Sequence, residues 1–155
     1  MVDIVGNLAE IKLNIAKAAA KVNRNAEDIK LIAVTKTRDV ATIQTAIAAG
    51  ITRIGENRVQ EIQDKYDAIG PTVEWHMIGH LQTNKVKYII DKVDLIHSLD
   101  RLSLAEELQA RVKKPVNVLV QVNVSGEESK FGIEPAAATS FIRQVAQDYP
   151  LIKIK

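Results

Sequence analysis

Ile4, Leu8, Ile11, Ile15, Ala19 and Val22 recur at spacings of three and four residues. That period lays them along one face and predicts an opening amphipathic helix. The texture then changes. Leu31 to Val34 is a short apolar run, and Val40, Ile43 and Ile47 return to helical spacing, with Asp39 as N-cap and Gly50 as stop. These segments read as one strand followed by one helix.

The same unit recurs along the chain. Ile51 to Ile54 precedes a helix carrying Val59, Ile62 and Tyr66, and Gly70-Pro71 interrupts before the run Val73 to Ile78. Residues 82–91 read as helix, Val93 to Ile96 as strand, and Leu102, Ala105, Leu108 and Val112 as one helical face. Val116 to Val124 is rich in β-branched residues and reads as a strand, and Ser125 to Gly132 as a polar loop. Phe141, Ile142 and Val145 mark a last helix ended by Pro150, and Leu151 to Ile154 opens a sixth strand.

Strands alternating with single helices require a parallel sheet, because each strand needs a crossover before its neighbour can run the same way. A doubly wound sheet fits 155 residues better by length, whereas a (β/α)₈ barrel takes roughly 250. The polar residues argue the other way. Lys36, Glu56 with Asn57, Gly79 with His80, Ser98 with Asp100, and Asn123 each follow or end a successive strand. An open sheet would concentrate its site at one switch point, often with a Gly-rich first loop, and here that loop reads Thr35-Lys36-Thr37-Arg38. The expected fold is therefore α/β of the (β/α)₈ TIM-barrel type, incomplete, with about six strands in a single domain over residues 1–155.

Composition narrows the function. Charged residues make up 26% of the chain and the formal net charge is only +2, so no strong field selects nucleic acid or an anionic membrane. The absence of cysteine removes disulfides and thiolate chemistry. Asp3, Glu10, Lys12 and Lys17 interrupt the first 24 residues, which resemble neither a secretory signal nor a membrane span. A cytoplasmic location is expected. Asn123-Val124-Ser125 fits a glycosylation acceptor, a chance match in that setting.

Several residues could carry chemistry. A lysine at the mouth of a barrel is nucleophilic when desolvation favours its neutral amine, and Lys36 stands directly after an apolar strand. Position alone favours the blander alternative, a solvated loop cation beside Arg38. Gly55 to Glu61 joins a strand to a helix whose first turn could direct amide groups at an anion; helix capping by Asn57 with Gln60 reaching back is the simpler account. Trp75 to Lys85 gathers an aromatic, two histidines and amides. His76 and His80 are four apart, but Gly79 breaks the helix that would align them on zinc, and His76 and His97 read first as hydrogen-bonded interior groups. Asp100 with Arg101 reads as cap and surface pairing, and Ser129 to Gly132 as a turn or a lid.

Ala33-Val34-Thr35-Lys36-Thr37, Gly55-Glu56-Asn57 with Gln60-Glu61, and Trp75-His76-Met77-Ile78-Gly79 with Leu81-Gln82 and Asn84-Lys85 occur in order with His97-Ser98-Leu99-Asp100-Arg101 and with Gln121-Val122-Asn123, Ser129-Lys130 and Gly132. From about residue 4 to the last residue this set resembles the pyridoxal phosphate homeostasis family. The resemblance implies a barrel like the N-terminal domain of bacterial alanine racemases, holding pyridoxal 5'-phosphate as a Schiff base on Lys36. It implies that Asn57, Ile78 and Gly79 line the cofactor pocket. It also implies a non-catalytic role in vitamin B6 and amino-acid homeostasis.

Family members continue past the position matching Lys155 with further βα units and a phosphate-binding region, so a C-terminally truncated member is expected. Its open barrel edges are expected to favour self-association. A racemase-like enzyme is one rival, since a bound pyridoxal group can labilise an amino-acid α-proton, but it needs a second base. A fragment with a defective cofactor site is the other.

Overall fold

The computed structural model describes residues 3–155. Its frame is α1 (Ile4–Lys21), β1 (Ala33–Val34), α2 (Val40–Ala48), β2 (Arg53–Glu56), α3 (Val59–Ile69) and β3 (Glu74–Met77). There follow β4 (Leu95–Leu99), α4 (Leu102–Arg111), β5 (Val116–Val120), α5 (Pro135–Asp148) and β6 (Ile152–Ile154). All pairings are parallel, and the strands lie in the order β1-β2-β3-β4-β5-β6. An order that never reverses rules out the doubly wound sheet and its switch point. It is the order of a barrel wall, left open among the described residues because β1 and β6 do not pair with each other.

Side-chain alternation divides the wall into two faces. Ile54, Trp75, Met77, Ile96, Val116, Val118 and Ile152 turn outward and join Ile62, Ile69, Leu104, Leu108 and Val145 of the helices in one apolar cluster. Each fully buried aliphatic side chain there contributes about 1.5–3 kcal/mol. Trp75 stacks obliquely on Tyr66 and donates its indole N–H to the Gly70 carbonyl at 2.9 Å, so its polar edge is satisfied inside the core.

Local signals explain most boundaries. Asp39 accepts the Thr42 N–H at 2.7 Å and starts α2, and Gly50 follows its end with φ of 98°. Other expectations need correction. Within residues 82–91 the chain forms not an α-helix but a 3₁₀ segment, Thr83–Tyr88, in which Val86 is wholly buried, as is Ile89 just after it. β5 ends at Val120, four residues early, and beyond it only Val122 forms an isolated bridge to Ile133. The face of α1 is only partly covered: Leu8 and Ala19 are buried, whereas Ile11 is 45% and Val22 65% exposed. Ile142 lies outside the core-facing stripe, which runs through the partly buried Phe141 and the buried Val145 of α5 to the partly buried Tyr149 just after it.

No helix among the described residues is long and apolar enough to cross a membrane.

Candidate functional site

Every strand of the wall runs the same way, so the segments after β1, β2, β3, β4 and β5 share one end of the sheet. Lys36 stands there in a tight turn, Thr35 to Arg38, closed by the Arg38 N–H on the Thr35 carbonyl at 3.1 Å. Its side chain is exposed, and among the described residues no carboxylate lies within ion-pair distance of it. Thr37, the next residue, has φ of 62°. A β-branched residue in that left-handed region is strained, so the turn needs outside support.

The support comes from α3. Lys65 reaches up from the middle of the helix and donates to the Thr35 carbonyl at 3.0 Å and to Glu56 Oε1 at 2.8 Å. Glu56, wholly buried at the end of β2, also accepts the Thr35 hydroxyl at 2.6 Å. Glu61, one turn before Lys65, accepts the Thr37 N–H at 2.6 Å. Burial pushes the Glu56 carboxyl above the usual carboxylate range, against the pull of Lys65 and Thr35. Burial also pushes Glu61 up, but the Thr37 N–H and the Lys65 ammonium outweigh it and hold Glu61 below that range.

Asn57 and Ile78-Gly79 meet just beyond the ends of the neighbouring strands β2 and β3. The Ile78 N–H binds the Glu56 carbonyl at 2.9 Å, and a Cβ built on Gly79 would lie 2.2 Å from the Asn57 carbonyl oxygen. Only glycine allows that approach. The Ile78 side chain lies over Gly55 beside Ile32, within about van der Waals contact of where a Gly55 Cβ would stand. Ile32 and Ile78 thus mark the inner face. Asn57 is not the N-cap of α3: that place is Arg58, without a side-chain hydrogen bond, and Gln60 binds Asp64 instead of reaching back.

The histidines part company. His76 Nδ1 lies 2.9 Å from His97 Nε2 across β3 and β4, as interior hydrogen-bonded groups. Burial lowers the pKa of both, with Glu74 opposing this at His76 and His76 adding to it at His97. His80 is elsewhere, in the loop after β3, stacked on Phe131 with ring centroids 3.7 Å apart and 3.8 Å from Asp100. Arg101 pairs with Asp100 at 2.6 Å and also donates to the Leu81 carbonyl at 2.7 Å, tying the loop after β4 to the loop after β3. Arg101 itself occupies the N-cap place of α4, without a side-chain cap bond. Ser98, read as a mouth residue, is inside β4 and wholly buried.

Sequence reading missed Lys65 and the burial of Glu56, yet both carried a signal. Glu56 is two residues beyond Ile54 and shares its outward face by alternation. Lys65 sits three after Ile62 and four before Ile69, on the buried stripe of α3. A lysine and a glutamate both assigned to buried positions imply each other.

The alanine racemase N-terminal domain family matches residues 6–155. The chain is 46% identical over 132 residues to the pyridoxal phosphate homeostasis protein of Aquifex aeolicus, covering 83% of this chain and 58% of that one. It is 41% identical over 154 residues to the protein of the same name from Escherichia coli K12, covering 95% and 66%. The chain thus spans less than two thirds of the length of these curated relatives. Its structure superposes on PipY of Synechococcus elongatus, solved with PLP bound, with a TM-score of 0.74 at 31% identity, covering 91% of this chain and 68% of PipY.

Proposed function

The chain belongs to the alanine racemase N-terminal domain family, and we propose that it binds pyridoxal 5'-phosphate through Lys36 as a non-catalytic protein of vitamin B6 and amino-acid homeostasis. The observation that carries this reading is the setting of Lys36: an exposed primary amine, free of carboxylates among the described residues, in a strained turn at the shared end of the strands. The names of the curated relatives and the PLP-bound state of PipY support it.

The residues present fit the cofactor. The missing Cβ of Gly79 lets its backbone close onto the Asn57 carbonyl beside Ile78, which holds these two turns together at the strand end where Lys36 stands. When bound, pyridoxal 5'-phosphate supplies an aldehyde that a neutral amine attacks with loss of one water. Lys36 would provide the amine, Ile78 an apolar contact, and Asn57 with Gly79 the wall of the pocket.

Two experiments test the reading. Incubation with the cofactor, borohydride reduction and peptide mass spectrometry should place the added mass on Lys36; an unmodified Lys36 overturns the assignment. Deuterium exchange into the α-position of L-alanine should stay at the background rate, and exchange at enzyme-like rates would replace the homeostasis role with racemase-like catalysis.

A further inference from the structure

Lys36 has one peptide bond on each side, and α3 holds both. The Thr35 carbonyl, which belongs to the peptide before Lys36, receives the Lys65 ammonium at 3.0 Å. The Thr37 N–H, which belongs to the peptide after it, is donated to Glu61 Oε1 at 2.6 Å. Lys65 is itself held by Glu56 at 2.8 Å and lies 3.7 Å from Glu61. The geometry points to Glu61 and Lys65 as positioning residues for Lys36: they fix the turn that aims its amine and act through its two flanking peptides.

Three features favour this over simple stabilisation of the fold. The two anchors converge on the two peptides that flank one residue. They enforce a left-handed Thr37, which an unrestrained β-branched residue would leave. They also bring charge to both peptides, and charge-assisted hydrogen bonds are shorter and stronger than neutral ones. An amine on a long, flexible stem is directed only as well as the backbone that carries it, so a turn held at both peptides limits the orientations Lys36 can take.

The inference rests on the cofactor reading, and its test separates the two. In the full chain, Glu61→Ala should raise the pyridoxal 5'-phosphate concentration for half-maximal Lys36-dependent visible absorption about tenfold, the weight of one charge-assisted hydrogen bond. Glu61→Gln keeps an acceptor at the same reach and should remain within about threefold of the native chain. Glu61→Asp keeps the charge but falls one methylene short, and should behave as Glu61→Ala. Should Glu61→Ala not melt cooperatively, the Gln and Asp variants carry the comparison. Amide hydrogen exchange at Thr37 should quicken in the Ala and Asp variants and return in the Gln variant.

Native-like binding and native-like Thr37 exchange in both Glu61→Ala and Glu61→Asp would overturn the positioning role. So would a Glu61→Gln variant as weak as Glu61→Ala. A native chain with no Lys36-dependent band overturns the cofactor reading instead. Thr37 exchange then decides the positioning alone: quickened by Ala and restored by Gln supports it, and unchanged exchange overturns it.

Discussion

His76 Nδ1 and His97 Nε2 share a 2.9 Å hydrogen bond on the inner face of the wall, so one ring donates and the other accepts. Such a bond holds only while at least one ring is neutral, and burial favours the neutral form of both. Around His76 stand the carboxylates of Glu74 and Asp94 and the guanidinium of Arg53, which push in opposite directions.

A pH dependence follows. Both histidines have folded-state pKa values below their ordinary 6.5, so the unfolded chain binds more protons just below that pH. Their contribution to stability is complete above pH 6.5 and is lost as pH falls from there toward the folded values. Thermal melts at intervals from pH 7.5 to about 5 should show the midpoint falling with acid, and His97→Asn should flatten the slope. The raised Glu56 carboxyl pulls the other way as pH falls, so the histidines are read from the difference between the two chains, and a slope unchanged by His97→Asn would contradict the burial of the pair.

The Glu56–Lys65 pair makes a second prediction. Lys65→Met strands a wholly buried carboxyl and should cost about 3 kcal/mol at pH 7. Without its cation Glu56 has a still higher folded pKa, so the deficit should shrink as pH falls and Glu56 takes up a proton. Replacing both, as Glu56→Leu with Lys65→Met, should recover most of the stability, because neither charge is then left buried alone. Denaturant unfolding of the two single variants and the double variant closes the cycle, and additive losses would show that the pair does not act as a unit.

The close approach of Gly79 to Asn57 makes a third. Gly79→Ala places a methyl group 2.2 Å from the Asn57 carbonyl oxygen, where backbone rather than a flexible side chain must yield. A loss of about 1–3 kcal/mol in urea unfolding is expected, together with weaker cofactor binding than the stability loss explains. Unchanged stability would mean that the two loops move apart freely and that the approach is not fixed.

Much of this was legible in the sequence, and the gaps have physical causes. The helical spacing of Val40, Ile43 and Ile47 and the cap at Asp39 located α2, because packing and capping there act on local residues. Lys36 stands directly after the first apolar run, a position that alone does not distinguish a nucleophile from a solvated cation. The 3₁₀ path of Thr83–Tyr88 stayed hidden because the apolar spacing of Val86, Ile89 and Ile90 suits a tight helix as well as a regular one. The support of Lys36 by Glu61 and Lys65 is a contact across 24 to 30 residues. Apolar spacing along β2 and α3 does not reveal it, because Glu56 and Lys65 occupy buried positions as polar members of those patterns.

A visible absorption titration with pyridoxal 5'-phosphate tests most directly whether Lys36 carries the cofactor. The native chain should develop a saturable visible band that Lys36→Ala lacks, while the variant keeps the native melting behaviour, since its exposed side chain supports nothing in the core. An identical band in Lys36→Ala, or no saturable band in the native chain, would contradict the account.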